Sequence, residues 1–447
     1  MRRRFRVWSL TARRGAHWVV VKVRGTALDE RRRAELEEQF AIRSAEDVTR
    51  ELGQLKGVVM KLGQVVSYLA DALPPAAAAQ LATLQANAPP MAPSLASSVV
   101  EDELGAPPDA LFLDWEPVPV AAASIGQVHR AVLDDGRRVA VKVQYPNVAD
   151  AIGGDLEDAH LISNLVSAFT FKGLDVDSLV DEVRERITAE LDYRSEAENQ
   201  RFFSDRYEGH PFVSVPGVVA GRSASRVLTA DWADGAPWER FCAEASGEAR
   251  QLAAEALFRF TQGSVYGHGV FNADPNPGNY LFGDDGSIAA LDFGLVKRFG
   301  PGETDRLWPL IDPLLASDHD LTVERMIAAG FLAPDHGLEP RLVWEFVSRP
   351  YVPYLGETFT FSRSWVGETL KTLLDVRGPY RDVVERLNMP ASFVFLDRVV
   401  WGVSAMLGRL GATNRWRAIL DEYRLGEPPS TELGRAERAW RDETGRW

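Results

Sequence analysis

Five polar positions, taken in chain order, have the types and spacing for phosphoryl transfer: Lys142, a carboxylate in the acid-rich stretch near 190–198, Asp274, Asn279 and Asp292. In such a set a strand lysine cancels charge on the α- and β-phosphates and a helix carboxylate holds that lysine. A loop aspartate accepts or orients the attacking hydroxyl or water, and an asparagine and a second aspartate hold Mg2+. Oxygen ligands without a Cys or His cluster suit a hard cation. Asn279 follows Asp274 by five residues, the gap in H-R-D-x-x-x-x-N, and Asp292-Phe293-Gly294 closes the next strand. Read singly, Lys142 is a solvated strand-edge lysine, Asp274 a turn former and Asp-Phe-Gly a chance tripeptide. The ordered combination with Val139-Ala140-Val141-Lys142 carries the reading. The chain has only seven lysines against 43 arginines, so a lysine inside this apolar strand is not a random basic choice.

These residues need elements to hold them. Residues 28–70 read as helix from their three-to-four spacing of apolar positions, with Lys61-Leu62-Gly63-Gln64 near the end. Further helices are expected over 75–85 and 95–104. Residues 111–120 and 127–133 look extended, Asp134-Asp135-Gly136 makes a hairpin turn, and 137–143 returns. On that strand Val139, Val141 and Val143 face one way, and Ala140 and Lys142 the other. A helix over 177–207 is dense in acids, and its apolar pattern leaves Glu190, Glu196 and Glu198 all open as partners for Lys142. A strand at 226–230, a connector at 231–236 and a helix over 243–268 follow. Residues 271–279 are too rich in Pro, Asn and Gly for regular structure. A small hairpin turns at 283–286, and the pattern is helical after Gly300.

Composition bounds the rest. A chain of 447 residues suggests two or three units or one large bilobal domain. Apolar residues at 45% and charged residues at 26% exclude wholesale disorder and fibrous classes. A net charge of −14 argues against nucleic acid as a partner. The single cysteine, Cys242, excludes a disulfide framework and a Cys-based metal site. Residues 1–24 carry eight basic residues and no acid, so this arm either touches anionic lipid or is a solvated tail. Arg3-Arg4 lacks a following apolar run and does not read as an export signal. No stretch supplies the roughly 20 apolar residues of a membrane span; five prolines interrupt 72–100, and Val399 to Leu407 reads as a core helix. The expected location is cytoplasmic, peripheral at the inner face of the membrane where lipid is bound.

The sequence resembles the UbiB/AarF family of atypical protein-kinase-like proteins. The matching residues are Lys61-Leu62-Gly63-Gln64, Ala121 to His129, Val139 to Lys142, Glu190-Leu191-Asp192, Asp274 to Asn279, and Asp292-Phe293-Gly294. They run in family order over about 45 to 300. Asn272 and Asn276 stand where the family usually has His. The resemblance implies an α+β, protein-kinase-like bilobal fold, with a small β-rich N-lobe, a large helical C-lobe and an N-terminal helical extension capping the active site. The expected boundaries are a basic arm at 1–27, the extension at 28–110, the N-lobe at 111–230 and the C-lobe at 231–447. Lys142, Asp274 and Glu196 are then the catalytic set, with Glu196 as the lysine's partner, and Asn279 and Asp292 are the metal ligands. The nucleotide-binding set is Ala121, Ala122, Ala123, Ser124, Ile125, Gly126, Gln127, Val128, Ala140 and Lys142. Lys61, Gln64, Glu190 and Asp192 belong to a lid over the site.

Two features set this chain apart from ordinary kinases. A Gly-rich loop lets the backbone approach the phosphates closely; Ala121, Ala122, Ala123 and Ser124 put Cβ atoms there instead, which should restrain turnover. Only about eight residues separate Gly294 from a helix start at Gly302-Glu303-Thr304, and no Ala-Pro-Glu follows, so a long peptide-docking segment has no room. The leading expectation is an ATP- and Mg2+-dependent atypical kinase or ATPase, with ATP or ADP and Mg2+ as cofactors. By resemblance it acts on or supports isoprenoid-quinone or membrane-lipid metabolism, with quinone-pathway lipids or an anionic membrane surface as partners. A nucleotide-binding pseudokinase scaffold and a small-molecule phosphotransferase are the alternatives.

Overall fold

The alternation of Val139, Val141 and Val143 dictates a strand with one fully apolar face, and all three side chains are buried without residual exposure. In the computed structural model the described residues are 91–123, 125–146, 191–373, 378–388 and 391–446. The basic arm, the helices expected over 28–70 and 75–85, and Lys61, Gln64, Ser124 and Glu190 lie outside them. The chain divides into two compact units. One is built of 92–144, 171–173 and 188–447 and holds the elements below; the other comprises 1–91, 145–170 and 174–187.

The first elements are α1 (Pro93–Leu104), β1 (Asp114–Trp115), β2 (Ala121–Ala123), β3 (Gly126–Val132), β4 (Arg138–Gln144), α2 (Tyr193–Arg206), β5 (Val213–Ser214) and β6 (Val227–Asp231). The sheet runs β1-β3-β4-β6, with β2 also on β3, and every pairing is antiparallel. Helix α1 packs on β4 and β6 and buries Ala96, Val99 and Val100. An ion pair of 2.7 Å from Arg226 Nε to Glu103 Oε1 ties its end to the start of β6. The sequence groups this helix with the extension; it packs on the sheet and belongs to the same compact unit. Much of 111–120 is not strand, because Pro117 and Pro119 remove ladder donors, and only Asp114–Trp115 pairs with β3.

Past β6 come β7 (Ala236–Pro237), α3 (Trp238–Glu244), α4 (Gly247–Gln262), a π-helical turn Gly263–His268, β8 (Val270–Asn272), β9 (Tyr280–Phe282), β10 (Ile288–Ala290) and β11 (Val296–Arg298). The helix expected over 243–268 is broken at Ser246, whose side chain caps α4 by accepting from the Ala249 amide. A four-stranded sheet runs β5-β10-β9-β7, and β8 pairs antiparallel with β11. Short helices follow between Glu303 and Arg386, then α5 (Ala391–Leu410), α6 (Trp416–Arg424) and α7 (Glu432–Thr444). Leu257, Phe258 and Phe260 of α4 share a core with Val399, Val403, Met406 and Leu407 of α5 and with Trp416 and Ile419 of α6. The fold is the small sheet and larger helical body of a kinase-like protein. Among the described residues no helix is long and apolar enough to cross a membrane.

Candidate active site

Lys142 sits on a central strand, opposite Val128 on one side and Leu228 on the other, on the face away from the valines. Its ammonium donates to Glu196 Oε1 at 2.8 Å and Oε2 at 2.9 Å and to Asp292 Oδ2 at 3.1 Å. Burial works against the charge, but the Asp292 and Glu196 carboxylates outweigh it and hold the lysine pKa well above its usual range. Of the three carboxylates the sequence left open, Glu196 is the lysine's partner. Glu198 is exposed, and Glu190 lies outside the described residues.

Helix spacing explains why Glu196 is chosen. Glu196, Asn199 and Phe203 recur at three and four residues, so they share one stripe of α2. Asn199 Nδ2 donates to the Phe293 carbonyl at 3.2 Å, and Phe203 stacks on the fully buried Phe293 at 4.8 Å between ring centroids. The stripe thus grips Asp292-Phe293-Gly294 as well as Lys142. Asp292 Oδ1 accepts from the Gly294 amide at 3.0 Å. Asp192 caps α2 by accepting from the Arg194 amide at 3.0 Å. Its expected neighbours Lys61 and Gln64 lie outside the described residues.

The loop after β8 is held from within by asparagines. Asn272 Nδ2 donates to the Asp292 carbonyl at 2.7 Å, while its Oδ1 accepts from the Asp274 amide at 2.9 Å. Asn276 Oδ1 accepts from the Gly278 amide at 2.9 Å. The two positions that depart from the family pattern therefore supply the loop's own hydrogen bonds. Asn279 Nδ2 donates to Asp274 Oδ2 at 2.9 Å, and the Leu291 amide donates to the Asn279 carbonyl at 2.9 Å, which sets Asn279 beside Asp292.

The alanine run departs from its expected form. Ala121, Ala122 and Ala123 are not a loop but β2, paired with Val128, Gln127 and Gly126. Ala121 and Ala122 are exposed, as a lip over a site would be. Ile125 and Gln127 are both 1% exposed, and Gln127 lies on the valine face, hydrogen-bonded to His129 at 2.9 Å. The Gln127 side chain thus points away from the face that bears Lys142, which leaves it only backbone contacts with a nucleotide. Val128 and Ala140 share the lysine's face. A Cβ at Gly126 would overlap the Val143 carbonyl and come within 2.9 Å of the Tyr193 hydroxyl, so this glycine admits its own neighbours.

The core helix expected around Val399 to Leu407 is α5, but its part in the site is not legible in the sequence. Arg398 Nη2 donates to Asp274 Oδ1 at 2.8 Å, with both side chains less than one-fifth exposed. One turn on, Gly402 lies so close to Pro275 that an added Cβ would overlap the ring. In the sequence Arg398 is a charged flank of an apolar run, 124 residues from Asp274, and no local signal joins them.

The comparisons agree with this geometry. Residues 83–326 match the ABC1 atypical kinase-like domain. An uncharacterised chloroplastic aarF domain-containing protein kinase of Arabidopsis thaliana is 32% identical over 411 residues, covering 90% of this chain and 56% of that protein. The chloroplastic activity of bc1 complex kinase 3 of the same plant is 30% identical, covering 78% of this chain and 48% of its own length. The chain thus spans about half the length of the curated relatives it matches. A solved structure of Rv3197 with erythromycin, from Mycobacterium tuberculosis, superposes with a TM-score of 0.65 at 32% identity, covering 87% of this chain and 98% of that one. With more than half its length matched and the kinase-like lysine, glutamate and aspartates in one place, the chain belongs to the ABC1 atypical kinase-like family, the UbiB/AarF group its motifs resemble.

Proposed function

We propose that the protein is an ATP-binding, Mg2+-dependent atypical kinase or ATPase. Its action is on, or in support of, isoprenoid-quinone or membrane-lipid metabolism rather than on proteins. The observation that carries this reading is Lys142 held between Glu196 and Asp292, with the Asp274–Asn279 pair on the adjoining loop.

The donor set suits Mg2+. Asn279 spends its amide N–H on Asp274, which leaves Oδ1 as the metal-facing atom, and the Asp292 carboxylate is one-third exposed. Among the described residues no cluster of three or more His, Cys, Asp or Glu could hold a metal by itself. One carboxylate and one amide oxygen, completed by phosphates and water, is a common arrangement for Mg2+. When bound, the ion would neutralise phosphate charge. Lys142 would then cancel charge on the α- and β-phosphates, with Glu196 fixing its position.

In the transfer step an acceptor oxygen bonds to the γ-phosphorus and the bond from that phosphorus to the β–γ bridging oxygen breaks. ADP leaves with the electron pair and Asp274 takes the acceptor's proton. Water as acceptor gives hydrolysis; a phenol or other hydroxyl gives transfer. The segment after Gly294 supports a small acceptor, because β11 and the helix Glu303–Leu307 follow almost at once. The erythromycin complex of the mycobacterial relative makes an amphipathic small molecule a second acceptor class to test.

The test is ATP turnover by the full chain with and without Mg2+, anionic vesicles, a quinone-precursor phenol and a generic protein. Turnover that needs Mg2+ and Asp274, rises with vesicle or phenol and leaves the protein unlabelled is the expected result. Nucleotide binding without turnover would replace the enzyme by a pseudokinase scaffold. Strong labelling of the generic protein would overturn the substrate class.

A further inference from the structure

The site has a charge problem that Lys142 does not solve. A terminal phosphate poised for transfer to an acceptor beside Asp274 must approach that carboxylate, and whatever charge Mg2+ on Asn279 and Asp292 leaves on it repels Asp274 unless a further cation lies between the two. Lys142 is already engaged by Glu196 and Asp292. The loop offers no cation of its own: Pro275, Asn276, Pro277 and Gly278 are uncharged, and Asn276 closes a turn on Gly278. The cation at Asp274 comes from α5, where Arg398 Nη2 lies 2.8 Å from Asp274 Oδ1.

Its backbone is held firmly enough to place it. Phe395, Arg398 and Gly402 recur at three and four residues and form one stripe of α5, beside the buried stripe of Val399, Val403, Met406 and Leu410. Gly402 abuts Pro275, the residue after Asp274, and the Lys297 ammonium of β11 lies 4.0 Å from the Phe395 ring centre. Both segments that frame the transfer point therefore touch this stripe. A planar guanidinium can keep one edge on a carboxylate and present another to phosphate oxygens.

We propose that Arg398 is a ligand of the γ-phosphate, standing between it and Asp274, so that the protein distinguishes a nucleoside triphosphate from a diphosphate through this side chain. The inference rests on the nucleotide-binding reading above. In an isolated structural ion pair, losing Arg398 would disturb ATP and ADP alike. As a γ-phosphate ligand, it matters only when that phosphate is present.

The experiment is calorimetric binding of Mg2+-ADP and of a non-hydrolysable Mg2+-ATP analogue to the full chain. In Arg398→Gln the analogue's affinity should fall about 10- to 100-fold, the range of a charge-assisted hydrogen bond, with ADP changed less than about threefold. Arg398→Lys should recover part of the loss, and Arg409→Gln, on the same helix but paired with Glu239 at the surface, should change neither ligand. Should Arg398→Gln fail to fold because Asp274 loses its partner, the comparison moves to Asp274→Asn with and without Arg398→Gln, where no carboxylate is stranded. The triphosphate preference should survive the single change and vanish in the double. An unchanged ATP-to-ADP ratio on losing Arg398 would overturn this inference alone. Failure of the wild type to bind either nucleotide would overturn the nucleotide reading and this inference with it.

Discussion

Phe203 of α2 and Phe293, the residue after Asp292, stack at 4.8 Å between ring centroids, and neither has any exposed surface. This contact couples the two carboxylates that hold Lys142, since Glu196 lies two turns before Phe203 on the same stripe. Shortening Phe203 should therefore affect both the core and the site. Phe203→Ala should cost about 3–5 kcal/mol in urea unfolding. The milder Phe203→Leu should fold and still weaken nucleotide binding, because α2 is freer to shift relative to Asp292. A Leu variant with full nucleotide affinity would show that the stack serves stability alone.

Asp292→Asn separates metal binding from folding. Lys142 keeps Glu196 at 2.8 Å, and an amide can still accept from the Gly294 amide, so the melting temperature should move little. Wild-type ADP affinity should drop when Mg2+ is chelated, whereas the variant should bind ADP equally with and without the ion. Retained Mg2+ dependence in the variant would remove Asp292 as a ligand.

Asp397 gives the fold a pH dependence of its own. Burial pushes its carboxyl up to about 6, although the Trp401 indole donates to Oδ1 at 3.1 Å. A folded pKa above the unfolded one means that the native state binds the extra proton between about pH 4 and 6. This group's contribution is present at low pH and lost as pH rises through that window. The loss by pH 7 is of order 1–3 kcal/mol. Asp397→Asn should flatten that part of the stability curve and raise stability at pH 7, read by urea unfolding at pH 5 and pH 7.

The sequence made the local features legible and left the distant ones dark. The strand of Val139 to Lys142 was readable because alternation is a local property, and so was the gap from Asp274 to Asn279. The helix's own pattern does not single out Glu196, which only the family resemblance names; the packing of Asn199 and Phe203 on Phe293 shows which stripe of α2 faces inward. Small residues carry no alternating pattern, so the strand form of the alanine run is legible only in its pairing with β3. Arg398 and Gly402 were invisible for the same reason: a contact across 124 residues leaves no periodicity to read.

The clearest case of such hidden structure is Arg259, 1% exposed in the last turn of α4. It donates to Glu255 Oε1 at 2.7 Å, Glu422 Oε2 at 2.8 Å, Glu437 Oε2 at 3.1 Å and Thr431 Oγ1 at 2.9 Å, tying α6 and α7 to α4. Burial alone would raise the Glu437 carboxyl, but His210, Arg441 and Arg259 together bring it down to about 2. A folded pKa below the unfolded one gives stability that is full above about pH 4.5 and lost as pH falls towards 2. Removing the hub strands buried carboxylates, so Arg259→Met should cost about 3–5 kcal/mol at pH 7. The loss should show first as faster amide exchange in α7, whose link to α4 runs through this cation. Glu437→Gln should cost less, because Arg259 keeps Glu255 and Glu422, and it should flatten the acid branch of the stability curve between pH 4.5 and 2. An acid branch of unchanged slope in that variant would mean that the carboxyl titrates alike in the folded and unfolded chain, and that α7 is held by its apolar contacts instead.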